Sequence, residues 1–154
     1  MKAWPFSEDD WEAVQEAVLD LVNVSNEEDG ELIAVKIKEV LDLLEALAIK
    51  YGPHPVLFET KADIMTNPAE RVELYRQAIN LAEQESLQTA TVRLSLAEVL
   101  IEDLGDNDAA KKELELCKEE LTGDDLEEWK ALSERVNGPT LRQSNVKSGV
   151  PAPR

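Results

Sequence analysis

Apolar residues recur three or four positions apart along most of the chain, which is the spacing of one face of an α-helix. The first such segment begins at Ser7, whose hydroxyl is placed to cap the helix, with Asp10 three residues later. Phe6 and Trp11 flank this start and are spaced to pack against each other across it. Because no segment alternates strictly between apolar and polar residues, the sequence predicts an all-α fold of six or seven helices in antiparallel hairpins.

Glycine and proline residues mark where the helical segments end and begin. The breaks are Gly52-Pro53, Asn67-Pro68, Gly105, Gly123 and Gly138-Pro139. The segment from about 31 to 51 has apolar residues on more than one side, which predicts the central helix of the fold. Another apolar segment is predicted to be helical from about 86 to 104.

The length of 154 residues suits one domain. We predict a single helical domain over residues 1–136, consisting of an N-terminal helix pair (1–52), two helical hairpins (54–121) and a C-terminal helix (124–136). Residues 137–154 contain no acidic residue and no helical periodicity, so they are predicted to form a flexible tail. Stacked hairpins of this size make a short α-solenoid or a compact bundle.

Residues 54–121 contain a weak internal repeat, in which small residues recur where two helices of a hairpin would cross. The better copy consists of Leu96-Ala97, Gly105-Asp106, Ala110, Leu114 and Cys117, and the earlier copy of Phe58, Ala62, Met65, Tyr75 and Ala78. This region resembles the tetratricopeptide repeat, although Arg71 stands where that family usually has a small residue. The resemblance implies a protein-binding stack of hairpins without chemistry of its own, and the N-terminal helix pair would complete its core.

The chain is strongly acidic, with 33 acidic and 16 basic side chains and a net charge of −17. This charge repels phosphate groups, so neither nucleic acid nor an anionic membrane is an expected partner. Residues 1–31 hold ten acidic residues and one basic residue, and residues 102–128 hold twelve acidic and three basic residues. Such concentrated charge speeds encounter with a positively charged molecule, and the expected partner is therefore a basic protein.

The residues that commonly carry catalysis or bind metal ions are scarce. The one histidine, His54, lies between two prolines, and the one cysteine, Cys117, lies on an apolar helix face, where a thiol acts as a small hydrophobic group. Neither the phosphate-binding glycine loop nor the serine nucleophile motif occurs, and the acidic runs do not match a calcium-binding loop. We therefore expect no enzymatic activity, no metal and no cofactor.

A small, acidic, all-helical chain without catalytic residues is similar, in fold class and charge, to immunity proteins and antitoxins that neutralise basic bacterial toxins. Met1 to Ser7 contains no apolar signal segment, and no apolar run is long enough to span a membrane, so a cytoplasmic protein is expected. The candidate partner-binding residues are Glu12, Glu16, Asp20, Asp103, Asp106 and Asp108.

Two other functions remain open at the level of sequence. The chain could be a repeat-type adaptor or secretion chaperone that holds a peptide in an apolar groove between hairpins, and such binding would tolerate salt. A metabolic enzyme would instead require a pocket with converging carboxylates of perturbed pKa.

Overall fold

The fold is all-α, as the sequence predicts. The computed structural model describes residues 4–144, and side chains as far as residue 137. The helices are α1 (Glu8–Val24), α2 (Gly30–Tyr51), α3 (Pro55–Ile64), α4 (Pro68–Gln84), α5 (Ala90–Glu102), α6 (Asn107–Cys117) and α7 (Gly123–Ser144), with a short 3-10 turn at Lys118–Glu120. The described residues contain no strand.

Side-chain caps fix where several helices begin. Ser7 Oγ accepts a 3.1 Å hydrogen bond from the Asp10 N–H, which confirms the predicted start of α1. Asn67 and Asp106 accept in the same way from the third backbone N–H beyond them, at the starts of α4 and α6. Nδ1 of His54 caps α3 by accepting from the Val56 N–H at 3.1 Å. These caps satisfy backbone donors that the first turn of a helix otherwise leaves unpaired.

The helices pack largely in chain order, each against the next. The most extensive contacts join α1 to α2, α3 to α4 and α5 to α6, which makes three antiparallel hairpins. Contacts between α4 and α5 connect the second hairpin to the third, and α7 packs against both α5 and α6. The contact between α2 and α3 is thinner than any of these.

The buried apolar residues form two clusters that meet at α3. The N-terminal cluster centres on Val14, Val40 and Leu44 and includes Leu57 of α3. The larger C-terminal cluster combines residues of α3 to α7, beginning with Ala62 of α3. One short helix thus contributes opposite sides to both clusters, and the N-terminal hairpin is held to the rest mainly through it.

Three predictions about the helices need correction. The central helix is α5, which contacts α4, α6 and α7, whereas α2 leaves Val35 and Ile49 exposed. The segment predicted from about 86 begins only at Ala90, because Ser86 adopts a positive φ of 58° that terminates α4.

The C-terminal helix is also longer than predicted, since α7 continues to Ser144 instead of ending at 136. A proline inside a helix removes one backbone hydrogen bond and crowds the carbonyl four residues earlier, so it either kinks a helix or ends it, and α7 continues past Gly138-Pro139. The remainder of the tail predicted over 137–154, from residue 145 onwards, lies outside the described residues.

Candidate protein-binding surfaces

Glu12, Glu16 and Asp20 lie one turn apart along the solvent side of α1 and form what we call the acidic row. All three side chains are exposed, and none of them forms an ion pair or hydrogen bond with another described residue. The four-residue spacing sets them in one line, while Val14 and Leu21 on the opposite side are buried. The acidic row is therefore a line of exposed negative charge without a counter-charge among the described residues.

Exposed apolar side chains lie directly beside the acidic row. Leu19 is 58% exposed and Val22 is 54% exposed, although both are large aliphatic residues. Leu19 lies three residues after Glu16 and three before Val22, so these side chains are neighbours on the helix surface. Acidic groups beside an apolar strip match the anatomy of a protein interface, in which an apolar centre is bordered by polar groups.

The first turn of α1 is anchored to the end of α2. Asp10 accepts hydrogen bonds from Lys50 Nζ at 2.7 Å and from the Tyr51 hydroxyl at 2.6 Å. The hydrogen bond from Lys50 lowers the pKa of Asp10 below its ordinary value, and the bond from Tyr51 lowers it further. The backbone N–H of Ser7 also donates to the Tyr51 hydroxyl, at 3.2 Å. Asp10 therefore holds α1 in place and is not part of the free acidic surface.

An aromatic cluster completes this anchor. Phe6 is buried and stacks on Trp11 with their rings 5.6 Å apart, which confirms the predicted packing across the start of α1. Phe6 also meets the rings of Tyr51 and His54 edge-on, at 5.2 and 5.3 Å. Trp4 packs edge-on against Phe6, Trp11 and His54 but remains 49% exposed. Residues 4–7 are thus fixed to the junction of α2 and α3.

The other three candidate carboxylates lie at the turn between α5 and α6, and two of them have structural partners. Asp103 pairs with Nη1 of Arg71 at 3.5 Å, and Asp106 caps α6. Asp108 is exposed in the first turn of α6. This turn belongs to the helices of the C-terminal cluster, whereas α1 belongs to the N-terminal one. The six predicted contacts therefore divide into two separate surfaces.

A buried ion-pair network went unrecognised in the sequence. Arg93 of α5 donates to Glu113 of α6 at 2.7 Å, to Glu83 of α4 at 2.8 Å and to the Thr89 hydroxyl at 3.0 Å. Arg93 and Glu113 are 9% and 7% exposed. The available signal was position, because Glu113 lies three residues after Ala110 and four before Cys117, on the apolar face of α6. The network joins the second and third hairpins.

A second polar cluster lies between α3 and α4. Burial, together with repulsion from Asp63, raises the pKa of Glu59 to about 7. Partial loss of solvent around its carboxylate also raises the pKa of Asp63, although the residue is exposed and the Tyr75 hydroxyl donates a short hydrogen bond to it. Arg71 donates from Nε to the Ala62 carbonyl at 2.9 Å and lies over the Tyr75 ring. The resemblance to the tetratricopeptide repeat predicts a small residue at position 71. Instead, the long side chain of Arg71 on α4 reaches across the hairpin to α3.

Carboxylates also cluster between α5 and α7. Burial raises the pKa of Glu98, and repulsion from Glu128 and Glu102 adds to that effect. The pKa of Glu128 is raised chiefly by burial and then by Asp125 and Glu102. Arg135 relieves some of this repulsion by donating to Glu102 at 2.7 Å. The cluster shows that acidic residues are crowded on this side of the molecule as well as on α1.

An apolar groove lies between α2 and α3, which we call the interhelical groove. It encloses about 450 Å³, and its floor consists of Leu41, Leu44, Ala48, Leu57 and Phe58. Asp42 and Glu45 border it on the α2 side and Lys61 on the α3 side. The sequence contained the residues of this groove but no indication that they line an open space.

Cys117 and His54, the two residues considered for catalysis or metal binding, are both buried in structural positions. The Cys117 thiol is buried, and this burial raises its pKa to about 11. His54 is buried as the cap of α3. Within the described part of the chain, no group of three or more His, Cys, Asp or Glu side chains is placed to hold a metal ion, and no helix is long and apolar enough to cross a membrane.

No protein-family model matches this chain, and no curated protein or solved structure matches it either.

Proposed function

We propose that this protein is a non-catalytic interaction module that binds and neutralises a basic protein, in the manner of an immunity protein or antitoxin for a bacterial toxin. The observation that carries this proposal is the acidic row of α1, three exposed carboxylates without a described counter-charge. Isolated surface charges of one sign are stabilised when a partner supplies the opposite sign. In this proposal the protein acts in the cytoplasm, where it occludes its partner.

The net charge of −17 supports a basic partner independently of any single contact. A molecule with this charge attracts cations over about 10 Å at moderate salt and accelerates their approach. Leu19 and Val22 supply the apolar surface that slows dissociation once the acidic row has oriented the two molecules. Charge thus sets the association rate, and apolar burial sets the lifetime of the complex.

The helix order supports a binding module of the tetratricopeptide type. Three hairpins stack in sequence and α7 covers both helices of the last one, as a capping helix does in a stack of helical repeats. Helical-repeat proteins use their extended surfaces for protein recognition. The proposal is therefore that the hairpins serve as a rigid support for the α1 surface.

The test begins by capturing proteins from the native lysate at low and high salt, followed by co-expression of each captured protein with this one. We expect one basic protein that is toxic alone, that is neutralised by co-expression and that is released by salt. The variant Glu12→Lys/Glu16→Lys/Asp20→Lys should slow association at least about tenfold while the helical circular dichroism is retained.

The matched control makes the same charge change away from α1, in α6, in the 3-10 turn after it and in α7. It is Glu115→Lys/Glu119→Lys/Glu134→Lys. These three side chains are also exposed, so the control has the same net charge as the α1 variant. Equal slowing in both variants would show that net charge alone matters and would remove the acidic row from the proposal. A partner that is not basic, or one whose activity is not blocked, would overturn the proposed function.

The second candidate function is a repeat-type adaptor or secretion chaperone, and the interhelical groove is the observation that favours it. A groove floored by five apolar side chains suits a peptide whose binding depends on burial. Capture of many client proteins that resist high salt would favour this function over the neutralisation of one basic protein.

A further inference from the structure

The interhelical groove lies where two neighbouring helices, α2 and α3, make little contact with each other. Only residues 52–54 connect α2 to α3, and Gly52 there has a φ of 88°, in the region that favours glycine. The aromatic cluster around His54 holds the two helices together at this end. Beyond the junction, α2 packs mainly on α1 and α3 mainly on α4. The apolar surfaces that face each other between α2 and α3 are consequently left open.

The two sides of the groove carry opposite charges. Glu45 on α2 and Lys61 on α3 form no ion pair with any described residue, whereas Asp42 is bound to Lys38 at 2.9 Å. The α2 side therefore attracts cations and the α3 side attracts an anion. An occupant that matches the groove has an apolar stripe, basic residues along one flank and an acidic residue on the other.

We propose that the interhelical groove binds an amphipathic helix of the basic partner, an inference that rests on the proposed function. The apolar stripe of this helix packs on Leu41, Ala48 and Phe58, as in other complexes in which a helix docks in a groove. Its Lys or Arg residues lie along Asp42 and Glu45, and an acidic residue faces Lys61. This contact lies between the N-terminal helix pair and the first of the repeat-like hairpins.

The net charge favours this occupant over a second copy of the same chain. A second copy brings another net charge of −17 toward a groove whose α2 side is already acidic. A basic helix instead gains from the same field before contact and from the apolar floor after it. Charge and shape therefore select the same class of ligand.

The probe is a displayed library of helical peptides of about 14 residues, or four turns, with apolar residues fixed at helical spacing and charges varied on both flanks. We expect selection on the full chain to enrich Lys or Arg on one flank and Asp or Glu on the other. Selection without this asymmetry, or without any enriched binder, would overturn the inference.

Two neighbouring alanines of α2 provide the decisive control. Ala48 lines the groove, whereas Ala46 is exposed and does not line it. Ala48→Trp should fill the groove and weaken the selected peptide at least about tenfold, and Ala46→Trp should change its affinity less than about twofold. Equal affinities for both variants would place the peptide elsewhere and reject the site.

Charge reversal separates this inference from the proposed function. Glu45→Lys should weaken the peptide more than the exposed control Glu115→Lys does, because Glu45 borders the groove. If the peptide requires the groove while the captured partner binds Ala48→Trp as tightly as wild type, the partner does not use the groove, and the inference fails while the proposed function stands. If the captured partner is not basic, the proposed function fails, whatever the peptide does.

Discussion

Arg93 donates a 2.7 Å hydrogen bond from Nη1 to Oε1 of Glu113, and both side chains are buried where the second and third hairpins meet. The other two side-chain nitrogens of Arg93 also donate, Nη2 to Glu83 and Nε to Thr89. Burying a charged pair costs desolvation, so its geometry has to be complete for the pair to be tolerated. The pair is therefore better understood as fixing how the hairpins align than as a large source of stability.

Replacing Arg93 by Met should lower the free energy of unfolding by about 3–5 kcal/mol, because Glu113 would keep a buried charge with a weaker partner. Arg76, at 3.4 Å from Glu113, limits this loss only in part. The measurement is urea unfolding followed by circular dichroism. The double variant Arg93→Met/Glu113→Met should be less destabilised than the sum of the two single variants, since it leaves neither charge unpaired.

The control for this experiment is Arg135→Met. Arg135 pairs with Glu102 at the same 2.7 Å, but the two side chains are 47% and 46% exposed. Exposed ion pairs contribute about 0–1 kcal/mol, so we expect a correspondingly small loss. If Arg93→Met costs no more than Arg135→Met, burial of the Arg93 network has no energetic importance.

Glu59 should make stability depend on pH near neutrality. Its pKa is about 7 in the folded protein against an ordinary value of 4.5. Since the folded state holds this proton more tightly, its contribution is fully present below pH 4.5 and is lost as the pH rises through about 7.

The variant Glu59→Gln should therefore be more stable than wild type at pH 8, by roughly 1–3 kcal/mol, and the difference should be near zero at pH 4. Unfolding curves at both pH values give the comparison. The exposed Glu115→Gln is the control for removal of one negative charge. A Glu59→Gln difference that is the same at pH 4 and pH 8 would contradict the assignment.

Ser86 has a φ of 58°, and it is the one described residue other than glycine with a positive φ. It ends α4, and the Leu87 N–H donates back to the Ala82 carbonyl at 2.8 Å. A side chain in this conformation costs about 1–2 kcal/mol that glycine avoids. Ser86→Gly should consequently raise the free energy of unfolding by about 1 kcal/mol, measured by thermal or urea unfolding.

Gly105 provides the reciprocal change. It lies in the turn after α5 with a φ of 64°, and the Asp106 N–H donates to the Leu100 carbonyl at 2.8 Å, a span one residue longer than that from Leu87 to Ala82. A Cβ atom added to Gly105 meets nothing within 4 Å, so Gly105→Ser tests the backbone cost alone. It should destabilise the protein by about 1 kcal/mol. Changes of the same sign in both variants would show that backbone conformation is not responsible.

Local sequence was sufficient for the features that depend on near neighbours. Ser7, Asn67 and Asp106 cap helices because each needs only a backbone N–H three residues away. Ser86 shows the limit of the same reasoning, since nothing in its side chain distinguishes a residue that starts a helix from one that ends the preceding helix. The position of α5 at the centre likewise depends on which hairpins stack, and periodicity does not specify that arrangement.

Among the candidate surfaces, too, local sequence predicts some features and tertiary packing determines the others. Exposure of the acidic row follows from its four-residue spacing opposite Val14 and Leu21, so sequence alone could locate it. That Asp103 pairs with Arg71 depends on contacts made across 32 residues of chain. The position of Glu113 on the apolar face of α6 is a local signal that it is buried, but its pairing with Arg93 depends on tertiary packing, as does the opening between α2 and α3.

The meeting of two apolar clusters at α3 has a thermodynamic consequence for the whole chain. Leu57 belongs to one cluster and Ala62 to the other, and the thin contact between α2 and α3 is the weakest point along the stack. We therefore expect the first hairpin to unfold as a cooperative unit of its own, so that its amides exchange hydrogen through sub-global opening while those of α5 stay protected. A helix seated between α2 and α3 touches both units, so binding would merge two unfolding transitions into one.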